Sequence, residues 1–365
     1  MFITSLEVQN FRNLKKEKIE LTNGLNVFCG KNAQGKTNLL ESIFISGIGK
    51  SPRVSKIKEC IMWDADFSII KIKYQKAYKK CEITFKLTKD GKKIILINGV
   101  SIKSLSELIG EVNLIYFFPE DLKLIKEAPI DRRKFMDIDI SQASKFYFTN
   151  LNKYNTVLQE RNKLLKNASS IEEVKQSVFV WDEQLSEYAS NIIISRIRFL
   201  KKLSPLARQA HFDLSGNKEK LDISYDGINE ENKALLKDEL LKLYQTNLEK
   251  DFSLGHTSIG PHKDDIKITL DGKDLRLYGS QGQQRTASLA LKFAEIELFK
   301  AEFGEEPILL LDDVLSELDE ERRAKLIAKC HNLQCIITTT DWEFKDLDAQ
   351  IFTISGGKIY KNTPK

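Results

Sequence analysis

Residues 30–37 read GKNAQGKT. The apolar run Leu25-Asn26-Val27-Phe28-Cys29 precedes them, and Leu39, Leu40, Ile43 and Phe44 follow at helical spacing. Strand, glycine-rich loop and helix in that order are what GxxxxGK[ST] needs to act as a phosphate cradle, and a glycine turn with a chance lysine would not bring both flanks with it. Gly30 and Gly35 let the chain turn tightly, so that the backbone N–H groups of Lys31, Asn32, Ala33, Gln34 and Gly35 face an anion at a helix N-terminus. Lys36 is placed to reach the β- and γ-phosphates of a nucleotide as a catalytic cation, and Thr37 to ligate Mg²⁺.

A carboxylate is the second requirement. ILLLDDVLSELD at 308–319 supplies it: Ile308 to Leu311 are continuously apolar after Pro307, as in a parallel strand covered on both faces, and Asp312 stands at the carboxyl end. Asp312 is therefore the expected Mg²⁺ carboxylate, and Asp313, facing elsewhere, the expected catalytic group for the attacking water. Glu317 and Asp319 fit either the site or the acidic start of a helix, since EERR follows them.

SQGQQR at 280–285 opens a helical run to about Phe303. Ser280 and Gly282 at a helix start form a second anion grip, yet the P-loop already holds the phosphates of its own nucleotide. A second grip implies a second subunit, whereas a plain helix cap is the competing explanation. Here the chain resembles the ABC-type ATPases, whose Ser-Gly-Gly-Gln signature is matched by Ser280, Gln281, Gly282 and Gln283 with one glycine replaced. In that family the signature of one subunit caps the γ-phosphate held by the other, so ATP joins two heads. Asp313 stands where those ATPases place a glutamate, one methylene longer, and slow turnover is expected.

The resemblance is closer still to the RecF family of bacterial recombination mediators. LEVQNFRNL at 6–14, the P-loop, FPEDL at 118–122, Arg132-Arg133-Lys134-Phe135, GPHKDD at 260–265, SQGQQR and LLLDDVLSELD span nearly the whole chain in that family's order. The resemblance implies an SMC-like head that forms a homodimer with ATP and Mg²⁺, binds double-stranded and gapped DNA, hydrolyses ATP weakly, and helps load recombinase with RecR and RecO as partners. It also implies that Arg12 contacts nucleotide phosphate, with Asn13 beside it. No histidine follows the apolar strand Cys335-Ile336-Ile337 to sense a γ-phosphate, so Thr340 or Asp341 is the nearest substitute. The lobe-bridging glutamine has no clear match beyond Glu120. Lys263 stands where the family has arginine, losing bidentate geometry.

At 365 residues, 41% hydrophobic and 30% charged, the chain is long enough for two lobes with separate cores. No apolar run approaches the ~18–20 residues that span a bilayer, and MFITSLEVQNF lacks a leader pattern, so the cytoplasm is the expected location and no membrane is expected as a partner. Cys29, Cys60, Cys81, Cys330 and Cys335 lack CxxC spacing and read as inert thiols. A net charge of +5 favours an anionic partner only weakly, so local clusters carry more weight. Lys50, Arg53, Lys56 and Lys58; Lys71, Lys73, Lys76, Lys79 and Lys80; and Arg132, Arg133 and Lys134 each fit phosphate tracking or a solvated face. Aromatic interleaving of the base-stacking type is not evident, which favours duplex backbone over single-strand bases.

The stretch up to about Val100 reads as strands at Phe2–Val8, Leu25–Cys29, Ile69–Tyr74, Glu82–Thr88 and Ile94–Asn98, with hairpin turns at Asp90-Gly91 and Asn98-Gly99. From Ser141 to Leu203 two apolar stripes, Phe148 to Leu165 and Val178 to Phe199, predict a short antiparallel helix pair of about 40 Å, packed as core. A third helix is expected over Glu230 to Lys250. The expected fold is α/β: an ABC-type ATPase head, with a P-loop parallel sheet and N-terminal antiparallel strands, made of 1–118 and 256–365, and an inserted helical lobe of 119–255. His262, Asp264 and Asp265 suit a structural role at a lobe junction or facing DNA better than a metal. The competing functions are the motor subunit of a membrane transporter, a small-molecule phosphotransferase and a scaffold with vestigial turnover.

Overall fold

The computed structural model describes residues 1–362 apart from 127, 217 and 344–346. The chain divides into two compact units, residues 1–122 with 295–365, and residues 123–294.

The first unit holds two six-stranded sheets. One carries the P-loop, in the order Lys358–Lys361, Ala349–Ser355, Leu25–Cys29, Cys335–Thr339, Ile308–Asp312, Leu114–Phe117. All of its pairings are parallel except the Ala349–Ser355 hairpin with Lys358–Lys361. Ile308–Asp312 and Cys335–Thr339 are buried at every position, which is why their sequences run apolar rather than alternate. Register then does the positioning. Asp312 lies opposite Thr338, and Thr339 opposite Cys29, so three strands end side by side at the start of the P-loop. Helix Lys36–Ile48 follows, entered through Gly35 at φ 113°, a backbone shape that a side chain rarely adopts.

The other sheet is antiparallel, in the order Leu14–Glu20, Phe2–Phe11, Phe67–Lys76, Lys79–Thr88, Lys93–Ile97, Val100–Ser101. Alternation places Leu6, Val8, Ile70, Ile72, Ile83 and Phe85 in the core. Asn98 and Gly99 turn the last hairpin at φ 52° and 81°, as the Asn-Gly pair predicts. Strand Leu14–Glu20 was not foreseen, because LKKEKIE offers little alternation. It is an edge strand whose lysines keep the edge soluble.

The second unit is less purely helical than expected. Strands Leu221–Asp226, Asp265–Leu270 and Lys273–Asp274 form an antiparallel sheet. The pairing of Asp265–Leu270 with Leu221–Asp226 gathers 256–294 into this unit, where the sequence reading had given them to the ATPase lobe. The helix pair is Lys145–Asn167 and Ile171–Leu214, separated by Ala168, Ser169 and Ser170. Its second arm has 44 residues, about 66 Å at ~1.5 Å per residue, well beyond the expected 40 Å. The expected helical stretch ended at Leu203, but the helix runs on through Pro205, and Ala207, His211 and Leu214 continue the buried stripe. The third helix is divided by Asn247 into Lys233–Thr246 and Leu248–Leu254. A helix that the sequence reading missed, Pro129–Ala143, holds the basic run 132–134.

Arg161 binds the helices of this unit to one another. Its Nε donates to Asp182 at 2.7 Å, and its NH1 to Asp251 at 2.8 Å and Thr257 at 2.9 Å, with no exposure of the side chain. Replacing Arg161 with methionine strands two buried carboxylates. We expect Arg161→Met to lower stability by about 3–5 kcal/mol, read as a shifted midpoint in urea unfolding followed by helical circular dichroism.

Candidate functional site: a phosphate cradle with a buried carboxylate

The crest of the P-loop, Lys31, Asn32 and Ala33, is exposed, while Gly35 and Lys36 at its base are buried. Ala33 has φ 65° and Gly35 φ 113°. A Cβ on Gly35 would sit 2.7 Å from Asn13 Oδ1, so the position excludes any larger residue. Asn13 pins the loop from the first hairpin, donating to Gln34 O at 3.1 Å and accepting from Asn38 Nδ2 at 2.9 Å. Gly356 and Gly357 pin it from the opposite side, donating to Gln34 Oε1 at 2.6 Å and Gln34 O at 3.1 Å. The Lys36 ammonium donates to Gly30 O inside the loop.

Asp312 is 4% exposed, and hydroxyls surround it. Thr37 Oγ1 donates to its Oδ1 at 3.0 Å, Thr338 Oγ1 to the same oxygen at 2.8 Å, and the Tyr116 hydroxyl to Oδ2 at 3.2 Å. Burial nevertheless raises its pKa above the usual carboxylate value, with the hydrogen bonds opposing. Asp313 follows at φ 54°, its N–H donating to Thr338 O at 3.0 Å. Burial raises its pKa too, Lys36 opposes the rise, and Asp312 and Glu317 add to it. Its Oδ1 is buried without a hydrogen-bond partner.

Two adjacent carboxylates held up in pKa, one with an orphaned oxygen, and a threonine hydroxyl against the other form a hard oxygen donor set. Such a set fits Mg²⁺, which takes few protein ligands, and the loop beside it fits a phosphate chain. Thr37 and Asp312 would hold the metal.

Sequence reasoning missed Tyr116, Thr338 and Glu41. Glu41 is fully buried on the P-loop helix. Arg12, which the resemblance offers as a phosphate contact, donates to Glu41 with Nε at 3.0 Å and NH2 at 2.9 Å, and to Glu59 O at 2.9 Å. Arg53 joins at 3.2 Å and Ser51 at 2.6 Å. The usable signal was a carboxylate inside an otherwise apolar helix, LLESIFI, which demands cationic partners. Cys60 faces the same carboxylate, and burial together with Glu41 pushes its thiol up to about 12.

In the second unit, Ser280 caps helix Gln281–Phe303. Its Oγ accepts from Gln283 N at 3.2 Å, and its N–H donates to Gln283 Oε1 at 2.8 Å, a reciprocal capping box. Ser280, Gln281 and Gly282 are exposed, and a Cβ on Gly282 would find its nearest atom at 3.9 Å. Gln283 also donates to Glu219 at 2.8 Å. The cap and the anion grip are thus compatible, since the capped residues face solvent.

Other expectations resolve locally. Asp319 is the N-cap of helix Glu320–Cys330, accepting from Arg322 N at 2.9 Å, which is the helix-start alternative. Glu120, Thr340 and Lys263 are exposed, and Asp341 accepts from Trp342 N through its carboxylate at 2.9 Å. His262 is bonded to the Tyr154 hydroxyl at 2.6 Å and Thr257 O at 3.0 Å. Asp264 is bonded to Tyr225, with its pKa pushed up to about 6 by burial, and Asp265 is clamped by Arg132 at 2.7 and 2.8 Å. Arg132 is itself 2% exposed, so it drops out of the basic run as a phosphate contact.

Glu41 gives a pH test. Burial opposes its charge, but the Arg12 and Ser51 hydrogen bonds prevail and hold its pKa below the unfolded value of 4.5. Its contribution is therefore complete above about pH 5 and is lost as acid carries the pH through the lower folded value. Glu41→Gln should cost about 3 kcal/mol or more at pH 7, and the gap between variant and parent in denaturant unfolding should close below pH 4.

Three comparisons place this geometry. Residues 2–356 match the RecF/RecN/SMC N terminal domain model. The DNA replication and repair protein RecF of Clostridium tetani (strain Massachusetts / E88) is 43% identical over 373 residues, covering 99% of this chain and 100% of that protein. Its counterpart in Clostridium novyi (strain NT) is 42% identical over 364 residues, covering 98% and 99%. A solved structure of the recombination mediator protein RecF with ATP in the RecFOR pathway superposes with a TM-score of 0.90 at 37% identity, covering 99% of this chain and 98% of that one. An Smc head bound to the C-winged helix domain of ScpA shares the fold alone, with a TM-score of 0.57 at 18% identity. Relatives named for DNA replication and repair along the whole chain decide against the transporter motor. No helix among the described residues is long and apolar enough to cross a membrane. With its P-loop, buried Asp312 and exposed signature cap, and with full-length identity above 40%, the chain belongs to the RecF family of DNA replication and repair proteins, within the RecF/RecN/SMC N terminal domain group.

Proposed function

We propose that this chain is an ATP-gated DNA-binding protein of recombinational repair and replication recovery, in which two protomers trap two MgATP between P-loop and signature. The observation that carries the reading is the Thr37 hydroxyl held 3.0 Å from a buried Asp312, at the mouth of a loop shaped for phosphate, in a chain that also exposes Ser280 and Gly282. A relative solved with ATP supports the nucleotide. The RecFOR pathway named for that relative supports RecR and RecO as partners of this chain in the cytoplasm.

Bound Mg²⁺ neutralises charge on the β- and γ-phosphates. The remaining work falls to the protein. Backbone N–H groups of residues 31–35 orient the phosphates, Lys36 leaves Gly30 O to meet them, and Asp312 fixes Thr37. Asp313, with its pKa raised by burial, accepts the proton of the attacking water. The orphaned Oδ1 supports that role. A carboxylate on so short a stem reaches water poorly, which supports slow hydrolysis. Duplex and gapped DNA is met by the lysine-rich face of the antiparallel sheet, where Lys71 and Lys73 alternate with buried Ile70 and Ile72.

Asp313→Asn should lower turnover by about 100-fold while leaving dimers intact with ATP, measured by phosphate release beside light scattering. Indifference of both readouts would favour a scaffold with vestigial turnover. Ser280→Arg should keep ATP affinity in the monomer within about threefold but abolish ATP-driven dimers, because an exposed anion grip gains bulk and loses its hydroxyl. Unchanged dimerisation of Ser280→Arg would defeat the two-headed arrangement.

A further inference from the structure

The hairpin of Phe67–Lys76 and Lys79–Thr88 turns on only two residues, Ala77 and Tyr78, and three local rules are broken there together. Tyr78 is 100% exposed, so its ring contributes nothing to the core. Lys76 and Lys79 are directly opposite each other, a like-charge pair that weakens an antiparallel ladder. Ala77 takes φ 49°, the left-handed region that Asn or Gly fills more readily. A neighbour of the same sheet obeys the rule at Asn98-Gly99. Features that oppose local stability and return none are those that a binding site retains.

The chemistry at the tip selects the ligand. Residues 75–81 read QKAYKKC, with no acid among them. Lys79 and Lys80 are exposed, while Lys76 Nζ donates to Gly110 O at 3.0 Å and ties the root of the hairpin to the body of its unit. The register Gln75 to Lys80 and Lys73 to Glu82 puts Lys80 on the same outward face as Lys71 and Lys73. Lys86 is on that face as well, and Lys16 and Lys18 face the same way two strands off. Three glutamates, Glu7, Glu20 and Glu82, are interspersed, and Glu82 is paired with Lys71 at 2.9 Å. A free aromatic ring at the end of a lysine track matches a strand of nucleic acid whose phosphates follow the lysines and whose unpaired base reaches the ring.

We propose that the Ala77-Tyr78 tip is a contact for single-stranded DNA, with Tyr78 stacking on an unpaired base and Lys79 and Lys80 holding its flanking phosphates. The proposal rests on the DNA-binding reading of the outward sheet face and adds to it a way of sensing where duplex gives way to single strand. It also revises the sequence reading, which found no base-stacking interleaving: Tyr78 stands among lysines in QKAYKK, and the hairpin adds the full exposure of its ring at a tip.

The test uses the full chain with ATP, and compares the parent with Tyr78→Ala, Tyr78→Trp and Lys79→Ala on three DNAs: a covalently closed duplex, a single-stranded oligonucleotide and a gapped duplex. A stack is worth roughly five- to 150-fold in affinity, so Tyr78→Ala should bind single-stranded and gapped DNA about tenfold more weakly and closed duplex unchanged. Tyr78→Trp should restore binding, with its emission quenched by the oligonucleotide. Lys79→Ala should lessen the salt slope on the oligonucleotide by about 0.7. Equal binding of parent and Tyr78→Ala to all three DNAs overturns the tip contact alone, and an accompanying change in self-association would assign the tip to protein instead. A parent that binds none of the DNAs overturns the DNA reading and this proposal with it.

Discussion

The alignment of three buried strand ends is the constraint on which the rest depends. Leu25–Cys29, Cys335–Thr339 and Ile308–Asp312 run parallel and in register, so their carboxyl ends present the P-loop, Thr338 and Asp312 to one place. A slip of one residue in either pairing would turn Asp312 to the opposite face of the sheet and carry it away from the Thr37 hydroxyl. Burial holds the strands in place. Burial is also what raises the carboxylate pKa, so the same packing that fixes the site creates its demand for a cation.

Around that centre the molecule uses buried charge to fix orientation. Glu41 on the P-loop helix gathers Arg12 from the end of the first strand and Arg53 from the loop after the helix. Arg161 does the same for the helices of the second unit, and Arg132 for helix Pro129–Ala143 against Asp265. Each is a guanidinium fork against carboxylates, a geometry that tolerates little rotation. Apolar contacts alone would leave those elements freer to slide.

The candidate site was legible to different depths. GKNAQGKT and LLLDD announce themselves because glycine, lysine and paired aspartates at fixed offsets from apolar runs serve few purposes other than a phosphate cradle and a metal carboxylate. Asn98-Gly99 was equally plain, since it needs no distant partner. Arg132 misled because a residue in a basic run reads as a phosphate contact until its carboxylate partner is seen, and that partner lies 133 positions away. The second helix reads as ending at Leu203, yet Ala207, His211 and Leu214 continue its buried stripe beyond Pro205.

The amino-acid sequence by itself determined the local pieces of the candidate site: a glycine-rich loop between strand and helix, a buried strand ending in paired aspartates, and a serine that opens a long helix. Those features are encoded within a dozen or so neighbouring residues, where backbone conformation and side-chain type suffice. Only the tertiary structure decided that Thr37, Thr338 and Tyr116 converge on Asp312 and that Glu41 gathers Arg12. These depend on register and packing between segments up to 275 positions apart, and such pairings are fixed by the burial of the whole sheet rather than by any local pattern.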